Sequence, residues 1–379
     1  MDKFYDELAI VLLVIKLVYI KQDVFGAVEY FGGIKNTHSD IMNSEIINHS
    51  SVKIGFVPSH IGLAKSHLPD KNGRLSRNVD GDLELLSGIA ETVGLSQVKI
   101  DTVQVMTFTG VVTEDFDELL EGICGLGIEP QIILMIGGVD PMDPVDEDAC
   151  VMHLLEGVGL AKRHKLRHIG STSAEGWMSS PAPRDNAEYL ARVDQVIQVH
   201  SRVYKEAELE NSSIESWNLE FLRPGEMNTF TSIPKIQPVV SGLNKIARRP
   251  FFKTLVDAAH CGDGDLSLET NAELINEIAN SEEFNLFHAS VPTTRGCQSS
   301  DRGWIPPLLR AVAETGRLEY AIIEVFDHTD PILEALREYD PQHGVDTTDG
   351  RTYSQTVVDN LALLVHQLNY LYKAGFLKE

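Results

Sequence analysis

Eight strand-length apolar runs, each followed by a segment of helical period, are what most narrows the folds open to this chain. The runs begin near Lys53, Lys99, Gln131, Arg167, Ser216, Phe252, Phe284 and Tyr320, at spacings of 32 to 49 residues. They are rich in β-branched side chains, which suit a pleated, buried surface. Helix-period segments fall between them at 83–93, 116–124, 151–163, 187–207, 235–247, 274–279 and 308–313. Gly and Pro punctuate the junctions, as in 127–130, 181–183 and 306–307. Strands alternating with helices imply βαβ units and a parallel sheet. Eight such units favour closure into an α/β fold of the (β/α)8 TIM-barrel kind over an open sheet. No GxGxxG follows the first run, which counts against a dinucleotide-binding sheet.

The expected division is an N-terminal helix and arm at 1–52, the barrel at 53–340, and a C-terminal helical extension at 341–379 packing on it. Residues 8–20 (LAIVLLVIKLVYI) are strongly apolar, but Lys16 interrupts them and they fall short of the roughly 20 residues a membrane span needs. Asp2, Asp6 and Glu7 outweigh Lys3, the reverse of a signal-peptide n-region. The segment therefore reads as a helix packed on protein or at a subunit interface, with no membrane role. Near the other end, 354–372 places Val357, Leu361, Leu364, Val365, Leu368 and Leu371 on one helical face. These two apolar faces exceed what a closed barrel's own outer ring needs, so a homo-oligomer is expected.

Charge and cysteine content narrow the function. A net charge of −24 repels phosphate backbones and sets nucleic acid aside as a partner. The four cysteines, Cys124, Cys150, Cys261 and Cys297, form no CxxC pair. Reduced thiols in a cytoplasmic protein are the expectation.

Four ionisable residues stand at the ends of separate apolar runs in the second half. They are Glu220 in WNLEFLRP, Asp257 in TLVDAAH, His288 in FNLFHASVP and Glu324 in AIIEVFD. Any one alone reads as a core ion pair or a hydrogen-bonded histidine. All four sit at one phase of the repeat, and active sites of barrels lie at the C-terminal ends of strands. Buried charge costs several kcal/mol, roughly, unless it is paired or bound to metal. Three carboxylates and an imidazole make a hard site for one divalent cation, with Mn²⁺ as the first expectation and Mg²⁺ or Co²⁺ as the others.

Neighbouring residues extend the pattern. His260 follows Asp257 as D-x-x-H, Glu226 lies six residues beyond Glu220, and Arg295 lies seven beyond His288. This set resembles the xylose-isomerase-like TIM-barrel superfamily, and within it the ketose 3-epimerases. The resemblance covers 216–328; the first half shares only the barrel periodicity. It implies that Glu220, Asp257, His288 and Glu324 hold the metal and that Glu226, His260 and Arg295 bind a sugar. His60, which ends the first run, falls where some members of that superfamily touch substrate. Glu175 and Trp177 after the fourth run face the same mouth, and Trp177, like Trp304 in DRGWIP, could stack on a sugar ring. Asp263 and Asp265 read as a turn that caps the helix starting near Leu268.

The implied chemistry is isomerisation or epimerisation of a keto-sugar or related polyol through an enediolate. Its negative charge requires a Lewis acid on the sugar oxygens. Glu220 and Glu324, on different sides of the ion, would serve as acid and base. A lyase or dehydratase acting on a keto-sugar, cyclitol or 3-oxo-glycoside uses the same groups. A phosphodiester-cleaving nuclease would need more histidines at strand ends.

Overall fold

The computed structural model describes residues 45–58, 69–290, 304–325, 334, 338 and 351–378. Chain contacts divide the protein into Met1–Ser44 and Glu45–Glu379, and the described residues belong to the second unit. The apolar run 8–20, His60 and Arg295 lie outside them, as does most of 331–338.

Eight strands form a closed parallel barrel in sequence order. They are β1 (Lys53–Val57), β2 (Thr102–Thr107), β3 (Glu129–Leu134), β4 (His168–Ser171), β5 (Ser216–Glu220), β6 (Phe252–Asp257), β7 (Leu286–His288) and β8 (Tyr320–Glu324). Closure comes from β8 on β1, which pair in parallel from Lys53↔Tyr320 to Val57↔Glu324. Around the strands lie α1 (Glu84–Leu95), α2 (Thr113–Gly125), α3 (Glu147–Arg163), α4 (Asn186–Glu206), α5 (Ile233–Ala247), α6 (Ala258–Gly262), α7 (Leu268–Asn280), α8 (Ile305–Glu314) and α9 (Tyr353–Lys373). The expected barrel is present, with strand starts within a few residues of those read from the sequence.

Alternation along the strands sorts the core into two. Phe56, Val103, Val105, Ile132, Leu134, Ile169, Trp217, Leu219, Val256, Phe287 and Ile323 join the helices in one large cluster. Val57, Ile133, Leu255, Leu286, Tyr320 and Ile322 form a separate cluster inside the barrel. Because side-chain direction alternates with period 2, Asp257, His288 and Glu324 carry the same inward phase as Leu255, Leu286 and Ile322. That single fact aims the ionisable ends at the barrel axis. Close approach of strands also constrains composition: a Cβ at Gly55 would collide with the backbone carbonyl of Thr102 on β2.

Two readings change here. The apolar face of α9 is consumed within the chain, where α9 packs on α1, β1, β8 and α8. Val357, Leu361, Leu364, Val365, Leu368 and Leu371 are all buried there. Helix α7 does begin at Leu268, but its N-cap is Ser267, whose hydroxyl accepts from Thr270 N–H. Asp263 is instead bound by a guanidinium at the site below.

Between barrel and helices, α4 presses His200 against the outward face of Trp217, with ring centroids 5.3 Å apart. Its Nδ1 donates to the Val196 carbonyl at 2.8 Å and its Nε2 meets Ser173 Oγ at 2.8 Å. Complete burial pushes this imidazole down from 6.5 to about 4. The unfolded chain therefore takes up the proton first, and stability is lost as pH falls from 6.5 towards 4. The loss levels off at about 3 kcal/mol. Denaturant unfolding of the wild type and His200→Gln between pH 7 and 4 should show this extra slope in the wild type alone. A difference independent of pH would mean that the ring is not held neutral.

Candidate metal centre

Each of the last four strands ends on one of the four ionisable residues: β5 on Glu220, β6 on Asp257, β7 on His288 and β8 on Glu324. Asp257 and His288 are direct partners in the β6–β7 register. One ligating atom from each of the four lies within 4.8 Å of the other three. His288 Nδ1 stands 3.2 Å from Glu324 Oε2, 3.6 Å from Glu220 Oε1 and 3.7 Å from Asp257 Oδ2. Asp257 and His288 are fully buried, and Glu220 nearly so.

The donors are held from behind. Ser290 Oγ donates to the Asp257 carboxylate, 2.6 Å from Oδ1 and 2.5 Å from Oδ2. Asp257 Oδ1 also accepts His260 N–H at 3.0 Å, so Asp257 is the N-cap of α6. This cap is the local reason for D-x-x-H: a five-residue helix starts on the strand's last residue and swings His260 back over the mouth. His288 Nε2 lies 2.8 Å from Gln104 Oε1, a group that can only accept. In the neutral ring the proton then sits on Nε2 and the Nδ1 lone pair faces the carboxylates.

Without a cation the electrostatics are unbalanced. Burial lowers the affinity of His288 for a proton, but Asp257, Glu220 and Glu324 reverse this and hold its pKa well above the ordinary value. Burial likewise opposes the charge on His260, yet Asp257, Glu220 and Glu226 raise it to about 10. Burial would raise Asp257 and Glu220, but the two imidazoles bring both below the usual carboxylate range. Glu324 goes the other way: burial raises it, and the charges of Glu220 and Asp257 add to this. Glu220 Oε1 and His288 Nδ1 are both buried without a hydrogen-bond partner. A divalent cation among these four donors satisfies both orphans and offsets the like charges.

A second layer lies beside the first. His260 Nε2 is 3.4 Å from Glu220 Oε1, and its Nδ1 is 4.0 Å from Glu226 Oε2. Glu226 is thus brought to the site, held by Arg223 Nε at 3.1 Å and by Trp177 Nε1 at 3.4 Å. Arg223 also donates through Nη1 to Asp263 Oδ2 at 2.9 Å. Glu175, in the loop after β4, accepts the backbone N–H groups of Asn228, Thr229 and Phe230 at 2.9, 2.8 and 3.1 Å. It clamps the loop carrying Glu226 and does not enter the site. Trp304 packs against the main core.

Sequence reading missed Gln104, Gln131, Arg223 and Ser290. Arg223 and Ser290 lie within a few residues of Glu226 and His288, so proximity was a usable signal. For Gln104 the signal was an amide at an inward strand position, where Val, Ile and Leu are usual.

No protein-family model matches the chain, and no curated protein matches it. Solved structures do. A D-allulose 3-epimerase from a Methylomonas species aligns with a TM-score of 0.61 at 12% identity, covering 84% of this chain and 98% of that one. A D-psicose 3-epimerase from Clostridium cellulolyticum H10, solved with D-tagatose, gives 0.58 at 13% identity over 84% and 99%. A family 2 AP endonuclease from Brucella melitensis gives 0.52 at 14% identity over 72% and 93%. The chain shares its barrel fold with these ketose 3-epimerases across nearly their whole length.

Proposed function

We propose that this protein is a metal-dependent sugar isomerase or epimerase that works on a keto-sugar or related polyol through an enediolate. The observation that carries the reading is the cluster of four donors at the ends of β5 to β8, with Glu220 Oε1 and His288 Nδ1 unpartnered in a buried site. Likeness in fold to a D-allulose and a D-psicose 3-epimerase supports the substrate class. When bound, the divalent ion supplies the positive charge that a developing enediolate needs.

The residues would divide the work as follows. Glu220 and Glu324 leave strands on different sides of the cluster, and each can take or return a proton on its own face of a bound sugar. Asp257 and His288 complete the ligand set. His260, 3.4 Å from Glu220 Oε1, can donate a hydrogen bond to a sugar oxygen or to that carboxylate. Glu226 is preset by Arg223 and Trp177 to accept from a hydroxyl. Arg295 and His60 complete the proposed substrate contacts. The proposed division of the chain stays at 1–52, 53–340 and 341–379.

Mn²⁺ is the proposed ion, since the donors are hard oxygens and one imidazole. Cytoplasmic residence is proposed from the lack of a CxxC pair among the four cysteines of the sequence; separately, among the described residues no helix is long and apolar enough to cross a membrane. Self-association now rests on the apolar run 8–20 alone; light scattering finding only a 42.0 kDa species would remove it. The nuclease reading is disfavoured by the net charge of −24 and by the single metal-competent cluster among the described residues.

Incubation of the Mn²⁺-loaded protein with a panel of ketohexoses and ketopentoses tests the reaction. A stereoisomer or aldose of unchanged mass is expected. Loss of water from these sugars, or of the aglycone from a 3-oxo-glycoside added to the panel, would replace the isomerase with a lyase.

A further inference from the structure

The barrel interior holds two amides that the reaction does not call for. Gln104 on β2 and Gln131 on β3 are register partners, and both are essentially unexposed. A buried amide is costly unless its bonds are made, and apolar side chains are the usual filling of a barrel. In this structure the bonds run one way and leave Gln131 Nε2 buried without a partner. Gln104 Nε2 donates to Gln131 Oε1 at 2.9 Å, which turns Gln104 Oε1 the other way, to His288 Nε2 at 2.8 Å. β2 and β7 are not neighbours in the barrel, so this bond crosses its interior.

We propose that Gln104, oriented by Gln131, is the positioning residue that sets the tautomer of His288 and so makes its Nδ1 the metal-binding nitrogen. The inference rests on the metal reading above. An imidazole that is free to turn or to exchange its proton can place N–H at Nδ1 and spend it on Glu324 Oε2, 3.2 Å away. That arrangement closes the site with an internal ion pair. An acceptor fixed on Nε2 disfavours it, because turning the ring breaks the bond to Gln104. Outer-shell acceptors of this kind hold the orientation and basicity of ligating histidines, and their loss typically costs about 10–100-fold in metal affinity.

The test uses the full chain stripped of metal and titrated calorimetrically with Mn²⁺. Gln104→Leu is expected to weaken binding by about 10–100-fold. Gln104→Glu keeps an acceptor on Nε2 and should bind within a few-fold of the wild type or more tightly. A merely structural role predicts the opposite order, since a buried carboxylate disturbs the core more than leucine does. Imidazole ¹⁵N shifts of the Mg²⁺-loaded wild type should show the proton on Nε2. If Gln104→Leu fails to fold, the double variant Gln104→Leu/Gln131→Leu removes both amides together and leaves no orphan between them. It should show the same weakening. Wild-type affinity in either leucine variant, or a proton on Nδ1, overturns the positioning role while leaving the metal site standing. A wild type that takes up no divalent ion overturns the metal reading and this inference with it.

Discussion

Replacing His288 with alanine is expected to give a folded barrel that retains no divalent ion after dialysis. The imidazole is the only nitrogen donor of the four, and it stands 3.2 to 3.7 Å from all three carboxylates. Its removal leaves three acids around a gap that lacks the nitrogen ligand, with His260 beside Glu220 as the remaining imidazole. The loss in metal affinity should exceed the roughly 10–100-fold expected for an outer-shell partner, because a ligand itself has gone. The fold should survive, since His288 is the last residue of β7 and β7 keeps its pairing with β6 and β8. His288 is a cleaner target than Asp257, which also caps α6 and accepts from Ser290. Elemental analysis beside a circular-dichroism spectrum reads both halves of the expectation. Full metal occupancy in His288→Ala would take this residue off the ligand set.

Glu220→Gln and Glu324→Gln are expected to reduce turnover by about 10²–10⁴-fold each, the usual worth of a positioned acid or base. Glutamine keeps the shape and one carbonyl oxygen, so the metal site is perturbed far less than by alanine while the proton acceptor is lost. Deuterium from solvent should enter the product at the carbon that changes, because a proton leaves the sugar and another returns. Complete retention of a carbon-bound label through many turnovers would mean a direct hydride shift, and the two-glutamate proton transfer would have to be abandoned. The pair is informative together: equal losses fit one group on each face, whereas a loss in only one variant leaves the other glutamate as ligand alone.

The depth at which the site could be read from the chain differs from residue to residue. Glu220, Asp257, His288 and Glu324 were legible because each interrupts an apolar run at its end, and the interruptions recur with the strand–helix repeat. His260 was legible through D-x-x-H, although its cause was not: the spacing exists because Asp257 caps a short helix. The cap of α7 was misread by a few residues, since Asp263, Asp265 and Ser267 all suit that position and only the packing of Arg223 claims Asp263. The face of α9 was visible as a stripe, but nothing in a stripe says what covers it. In the folded chain α1, β1, β8 and α8 do.

What the sequence determined by itself is everything that follows from period. A strand turns alternate side chains to opposite faces and a helix returns every 3.6 residues, so the barrel, its inward phase and the convergence of four strand ends could be read locally. What only the tertiary structure decided are contacts across the closed barrel. Gln104 and His288 are separated by 184 residues and lie on strands that never pair. Their meeting depends on barrel closure, strand tilt and the direction of two amides, and none of these leaves a periodic trace in the chain.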